Sequence, residues 1–449
     1  VTATPETRVH SWLDRHVMDT GPVALACSGG SDSTALLLMA ASWAKARGRR
    51  LHILTLDHGL RPEAHSEAKS VAARARDLGL SCDILAWTGD KPETGLQAAA
   101  RAARHRLFAT ACRRRGIREL LLGHTLDDQA ETVWMRLEAG GNWRSCTGMV
   151  PVGPSPLWPQ GRDLRLLRPL LDHRRAELRA WLTAQGESWI DDPSNADEAY
   201  TRIRIRRHLE TLEAGGFRPE RLARLAEDLR AVQDEEDRCA AAQARRCVRF
   251  APWGGVRLDR RCFRAAPEAV RLRLWDALAL AVSGQSGLPD RKALMQLDRA
   301  LSSGVRTTAA GVLLDGGDKA WLVRDPGAVL GRVDRHASNR LTGEGDDPVW
   351  DGRFSLRDVS APVMAGVLGR GYDGLADRSI LGSVPAAARP GLLALRRDGE
   401  VIALPGLGGD SREGGIAQPL FLHRFCTRLL PAEPPVWFDT SESLQPVLQ

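Results

Sequence analysis

An α/β fold on a parallel, doubly wound sheet, followed by a helical second domain and a small C-terminal β-containing domain, is what this 449-residue sequence predicts. Three observations lead there. Residues 21–140 alternate short, continuous apolar runs with longer amphipathic ones, the pattern of strands buried on both faces by helices. The polar motifs of that region fall at the carboxyl ends of the runs, where open parallel sheets bind their ligands. The length exceeds one ordinary core, so two or three domains are expected, with borders at 1–215, 216–330 and 331–449.

The elements follow in order. Val23–Cys27 reads as a strand, then a Gly/Ser loop, then a helix from Ser33 to Ala46 stopped by Gly48. Leu51–Leu56 is the second strand, and Glu63–Leu78 a helix closed by Gly79. Leu80–Trp87 is the third strand. Gln97–Arg115 is an Ala/Arg helix, Leu120–Gly123 the fourth strand and Leu126–Glu138 a further helix. Residues 150–165, rich in Pro and Gly, read as a loop before a helix over Asp172–Gln185. Leu222, Leu225, Leu229 and Val232 keep helical spacing beyond Gly215–Gly216, and Pro267–Val282 and Asp290–Leu301 repeat it. The remaining chain has short apolar runs broken by Gly and Pro.

Hydrophobic residues make up 43% and charged ones 27%, which places the chain among globular proteins. No run of 18 apolar residues occurs, and Val1–Met18 mixes Glu6, Arg8, Asp14 and Arg15 into its apolar positions, so neither a membrane span nor a signal peptide is read. The eight cysteines form no CxxC pair, which favours reduced thiols in a cytoplasmic protein over a zinc or iron–sulfur site. The net charge is +7, carried almost wholly by Arg, with Lys only at 45, 69, 91, 292 and 319. Arginine suits phosphate, but a GC-rich genome gives the same bias, so local clusters say more than the total.

Ser28-Gly29-Gly30-Ser31-Asp32-Ser33 sits between a strand and a helix. Main-chain N–H groups at a helix start grip anions, and glycines let phosphates come close; a simple capping turn is the alternative. Asp57, in Leu56-Asp57-His58-Gly59-Leu60-Arg61, ends the second strand. It is placed to hold a ribose, a magnesium ion or an amine, or else to cap a turn. Gly123-His124-Thr125-Leu126-Asp127-Asp128-Gln129-Ala130-Glu131-Thr132 follows the fourth strand. The spacing puts His124, Asp128 and Glu131 on one side of a helix start. Acidic residues there also complement the helix dipole, so a structural role competes with a cation or ammonium site. Arg101, Arg104, Arg106 and Arg113–Arg115 line one helix, and Arg202, Arg204, Arg206 and Arg207 form a second cationic segment after Asp191-Asp192-Pro193-Ser194-Asn195.

The SGGxDS loop resembles that of the PP-loop ATP-pyrophosphatases, of the adenine nucleotide α hydrolase-like fold, which break ATP between the α and β phosphates. With DHGLR at 57–61, the Arg101/Arg104 helix, GHTLDDQAET at 123–132, RPLL at 168–171 and DPSN at 192–195, residues 21–210 resemble the tRNA(Ile)-lysidine synthase family, with a weaker likeness at Val349–Phe354. The resemblance implies that Ser28, Gly29, Gly30, Ser31, Asp32 and Ser33 bind ATP with Mg2+, and that Arg104 and His124 flank the nucleotide and the reacting centre. It implies that Asp128 and Glu131 hold the amine of free L-lysine and Arg202 its carboxylate. A carboxylate near that amine could also take its proton, Asp128 being the first candidate and Asp32 the second. The implied partner is the isoleucine tRNA with a CAU anticodon, lysine being joined to C2 of its wobble cytidine through an adenylate. The sequence departs from the family pattern at Gly95, His105 and the Ala139–Trp143 loop. A PP-loop tRNA thiolase lacks its thiols here, and a non-catalytic nucleotide- or RNA-binding module would not need Asp32, His124, Asp128 and Glu131 together.

Overall fold

The computed structural model describes residues 3–429 apart from 90, 93, 192–200, 318, 332–340, 343–347, 358–362 and 410–415. The chain divides into two compact units, Val1–Leu157 with Gly161–Gln233, and Trp158–Gln160 with Asp234–Gln449.

The first unit is the expected α/β layer structure. Its elements are α1 (Pro5–His16), β1 (Val23–Ala26), α2 (Ser31–Ala46), β2 (Leu51–Asp57), α3 (Ala64–Asp77), β3 (Ser81–Ala86), α4 (Leu96–Arg114), β4 (Glu119–Leu122), α5 (Leu126–Glu138), β5 (Val152–Pro154), β6 (Arg165–Leu167), α6 (Arg175–Ala184), α7 (Thr201–Ala214) and α8 (Glu220–Cys247). The strands lie in the order β3-β2-β1-β4-β6-β5, all parallel except the β5–β6 pair.

Strand alternation explains the two buried faces. Val23, Leu25, Ile53, Leu121 and Leu167 join one core with α1, α2, α6 and Val71 of α3. Their neighbours Ala24, Leu54, Leu120, Leu122 and Leu166 join another with Phe108, Ala109 and Cys112 of α4. Both faces being covered, the central strands β1 and β4 carry no polar alternation and read as apolar runs, whereas no residue of the edge strand β3 is fully buried. A third cluster packs Ala130 and Val133 of α5 against Ile205 and Leu209 of α7 and Leu222 and Ala226 of α8.

Two differences from the sequence reading concern this unit. The stretch read as a loop over 150–165 contains β5 and the first residue of β6, each strand only three residues long and so too short to show a period. The helix read from Asp172 begins at Arg175, after Arg174 as N-cap.

The second unit combines helices with antiparallel sheets. Val248–Phe250, Val256–Leu258, Ala320–Arg324, Val312–Asp315 and Thr307–Ala309 form a five-stranded sheet in that spatial order, packed with the helices Glu268–Ser283 and Arg291–Ser303. The helices expected in 216–330 are present, and five short strands accompany them. Two four-stranded sheets use strands from Leu341–Thr342 to Ile416–Pro419. The border expected at 216 falls instead at 233/234, inside α8, and described residues from 234–330 and from 331–429 share one core, in which Trp275 and Leu297 pack in the same cluster as Trp350, Phe354 and Phe421. Strands of two to five residues leave no periodicity to reveal such sharing. Among the described residues no helix is long and apolar enough to cross a membrane.

Candidate active site

β1 leads into the Ser28–Ser33 loop, which winds directly into α2. Gly29 has φ 86°, a left-handed conformation that suits glycine. Its carbonyl accepts hydrogen bonds from Ile190 N at 2.9 Å and Thr34 Oγ1 at 3.0 Å. Ser33 Oγ accepts from Ser28 N at 3.2 Å and donates to Gly30 O at 3.0 Å, so the loop is closed by its own hydroxyls. Gly123 meets this loop from the end of β4: a Cβ there would lie 3.2 Å from Ser33 Cα and 3.3 Å from its N. Glycine is what lets the first and third motifs of the sheet edge stand together.

The acidic side is built by α5. Thr125 caps it, accepting from Asp128 N, while Asp128 Oδ2 accepts from Thr125 N at 2.9 Å and from its hydroxyl at 3.1 Å. This reciprocal capping box fixes Asp128 with its other oxygen, Oδ1, turned to two guanidiniums, Arg175 Nη2 and Arg202 Nη2, each at 3.1 Å. Glu131, one turn on and 1% exposed, accepts from Arg202 Nε at 2.6 Å and Arg206 Nε at 2.8 Å. Arg175 Nε also donates to Asp32 Oδ2 at 3.0 Å, and Ser31 Oγ donates to Asp32 Oδ1 at 3.1 Å. One guanidinium therefore joins the aspartate of the Gly/Ser loop to the acids of α5.

The two aspartates differ in their protonation tendency. Burial raises the pKa of Asp32, and the nearby Asp128 adds to that against the opposing Arg175. Burial also acts on Asp128, but Arg202 and Arg175 outweigh it and hold its carboxyl below the usual range.

Beyond the acids the charge turns positive. Burial pushes His124 down to about 3, the attraction of Asp128 being too weak to offset it and Arg168, Arg202 and Arg101 adding to the fall. His124 Nδ1 is buried without a hydrogen-bond partner, as is Arg168 Nε. His105 is held down to about 4, first by burial and then by Arg101, Arg104 and Arg168. Arg101 and Arg168 thus lie close to neutral His124, and Arg104 close to Arg101 and His105, forming a cationic sector fit for an anion next to the Gly123 that abuts the loop.

A PP-loop domain model matches residues 4–212, the stretch that holds all of these side chains. The tRNA(Ile)-lysidine synthase of Caulobacter vibrioides is 36% identical over 404 residues, covering 88% of this chain and 89% of the relative. The chain belongs to the tRNA(Ile)-lysidine synthase family. The lysidine synthase of Methylobacterium nodulans is 45% identical over 287 residues, 63% of this chain and 81% of the relative. Among solved structures, the U34-tRNA thiolase NcsA of Methanococcus maripaludis with its [4Fe-4S] cluster covers 50% of this chain and 78% of that one. Its identity is 16% and its TM-score 0.43, too remote to bear on the reaction.

In this lysidine synthase family member, the structure brings Asp32, Asp128, Glu131 and Arg202 into one network and sets neutral His124 next to the cationic sector that holds Arg101, Arg104 and Arg168. Asp57 stands apart. Its Oδ1 accepts from Gly59 N at 2.9 Å and its Oδ2 pairs with His65 Nδ1 at 3.1 Å, the arrangement of a turn cap. Asp192, Pro193, Ser194 and Asn195 lie outside the described residues.

The residue that sequence reasoning missed is Arg175. Its only local signal is its position: Arg174 and Arg175 occupy the start of α6, where the helix dipole disfavours cations. Carboxylates from other elements override that cost. Asp127 Oδ2 accepts from Arg175 N at 2.7 Å and Asp127 Oδ1 from Arg174 Nε at 3.1 Å, so the first turn of α5 anchors the first turn of α6. Arg206 was legible only as part of a cationic run.

Two expected results arise directly. A Cβ on Gly29 would sit 2.5 Å from Ile190 Cδ1 at a positive φ, so Gly29→Ala is expected to weaken ATP binding about tenfold or more. Titration with a fluorescent ATP analogue checks this; unchanged affinity would remove the loop from the nucleotide site. The second concerns pH. An unfolded histidine takes up a proton near 6.5, whereas buried His124 does so only at about 3. The folded state then binds fewer protons between those values. His124 contributes its full stability above pH 6.5 and loses it as the pH falls toward 3. Urea unfolding of wild type and His124→Gln over about pH 4 to 8 should show a shallower pH slope in the variant. Equal slopes would mean that the imidazole is not held neutral.

Proposed function

We propose that this chain joins free L-lysine to C2 of the wobble cytidine in the CAU-anticodon isoleucine tRNA, converting ATP to AMP and pyrophosphate. The observation that carries the reading is the network in which Arg175 links Asp32 of the ATP loop to Asp128 and Glu131, placing carboxylates suited to an amine across from a phosphate cradle. The family assignment supports it independently.

The reaction divides into two steps. The cytidine O2 attacks the α-phosphorus of ATP, and the bond to the β-phosphate oxygen breaks to release pyrophosphate. Main-chain N–H groups at the start of α2 face the charge that develops on the departing group, with the Arg104 and Arg168 sector beside them. A lysine amine then attacks C2 and AMP leaves, carrying the former O2. At neutral pH only about one part in a thousand of the free amine is unprotonated, so a proton must be taken from it. Asp128, held ionised by Arg202 and Arg175, is suited to bind the ammonium. Asp32, whose pKa burial raises, is the better proton acceptor. This division reverses the order expected from the sequence and separates binding from activation. Neutral His124, whose buried Nδ1 has no hydrogen-bond partner among the described residues, is suited to hydrogen-bond the reacting base or its phosphate.

Magnesium would enter with the nucleotide. Among the described residues no group of three or more His, Cys, Asp or Glu side chains is arranged to hold a metal. Phosphate oxygens and water would supply its ligands, with Asp32, beside the cradle, reaching it through water and so keeping its carboxylate available as the proton acceptor. The ion would supply charge neutralisation of the triphosphate. The tRNA body would be read by the second unit, whose exposed Arg246, Arg249, Arg261 and Arg264 suit a phosphate backbone. We place the enzyme in the cytoplasm, consistent with its eight free cysteines.

The test supplies ATP, radiolabelled lysine and the CAU tRNA. Label in the RNA together with AMP is expected. Incorporation of sulfur from cysteine would favour a thiolase, and a lack of any nucleotide turnover would leave a binding module.

A further inference from the structure

Asp32, Asp128 and Glu131 bring three negative charges to the mouth of the sheet, and Arg175, Arg202 and Arg206 bring three positive ones. Asp128 Oδ2 is taken by the cap of α5 and Oδ1 by two guanidiniums, while both oxygens of Glu131 hold arginines. An incoming ammonium meets a neutralised site. It can bind only where a guanidinium withdraws.

Of the three cations, Arg175 alone also reaches the ATP loop, through Asp32 at 3.0 Å. Arg179, one turn further along α6, donates from Nε to Ser31 Oγ at 3.3 Å. Helix α6 thus presents two guanidiniums one turn apart to the phosphate cradle. A triphosphate in that cradle offers several anionic oxygens that a guanidinium fork can take bidentately, whereas Arg175 now gives Asp32 and Asp128 one N–H each.

We propose that Arg175 is a positioning residue that couples occupancy of the ATP loop to the readiness of the amine-binding acids. Without nucleotide it bridges Asp32 and Asp128 and keeps the acids closed to lysine. With the triphosphate in place it turns to the phosphates, and Asp128 Oδ1, left with Arg202 alone, gains room for the ammonium. The order serves the chemistry, because an amine seated before the base is adenylated has nothing to attack. Arg202 stays on Asp128 and Glu131 throughout, near enough to meet the lysine carboxylate. The inference rests on the ligase reading above.

Because coupling is reciprocal, binding alone tests it. L-lysine affinity is measured by calorimetry on the full chain, with and without magnesium and the α,β-methylene analogue of ATP, in wild type, Arg175→Gln and Arg175→Lys. In wild type the analogue is expected to tighten lysine binding about tenfold. In Arg175→Gln the ratio should fall to within about twofold of unity, with lysine alone binding more tightly than to wild type. Arg175→Lys keeps the charge but touches one acid at a time, so its ratio should be intermediate.

A merely structural role would lower both affinities and leave their ratio unchanged. A ratio of one in wild type, or the wild-type ratio in Arg175→Gln, overturns the proposal. Should Arg175→Gln fail to fold, a full wild-type ratio in Arg175→Lys overturns it equally. A wild-type chain that makes lysidine yet shows no coupling sinks this proposal alone, whereas one that binds neither lysine nor the analogue sinks the ligase reading as well.

Discussion

Asp128→Asn is expected to lower lysine transfer by about a thousandfold while the chain stays folded and binds tRNA with near-wild-type affinity. The amide matches the carboxylate in shape and keeps one oxygen, so at the N3 position of the capping box it can still accept from Thr125 N. What disappears is the negative charge that Arg175 and Arg202 hold in place and that an ammonium would need. Single-turnover transfer of labelled lysine to the CAU tRNA measures the loss. Pyrophosphate release should be affected less, because the loop that receives the triphosphate is not altered. A variant that transfers lysine normally but has lost tRNA affinity would contradict the role assigned to Asp128.

Glu131→Ala is expected to be the most damaging single change to stability in this region, at about 3–5 kcal/mol. Glu131 is 1% exposed and neutralises Arg202 and Arg206, both on α7. Its removal leaves Arg206 without this carboxylate and Arg202 with Asp128 alone, where α7 packs on α5. Glu131→Gln, which keeps an acceptor and the volume, should cost less. Urea unfolding of the full chain gives the size of the effect, and faster hydrogen exchange over 201–214 would locate it. An unchanged midpoint in Glu131→Ala would show that the guanidiniums find other acceptors.

The legibility of the site follows from how local each part is. The phosphate cradle is six consecutive residues whose hydroxyls and main chain close on one another, so its chemistry is written in one short string. Asp128 and Glu131 were legible because an i, i+3 spacing at a helix start sets both on one face. Asp57 sits at a strand end as expected, and the hydrogen bond to Gly59 N then assigns it to the turn rather than to the network. Arg175 could not be found in this way. It lies 143 residues from Asp32 and 47 from Asp128, and no spacing rule connects them. Likewise β5 and β6 are three residues each and gain their place only by pairing.

By itself the sequence determined the parallel sheet, the anion-binding loop and the acids at the third motif, because apolar periodicity, glycine conformation and helix capping act over a few residues. Only the tertiary structure decided which charges face one another: that Arg175, Arg202 and Arg206 saturate the acids, that Asp128 is held ionised while Asp32 is pushed toward its neutral form, and that His124 is kept neutral. Those outcomes depend on burial and on Coulomb interactions across distances of a few ångströms between elements far apart in the chain, and neither is encoded in any local pattern.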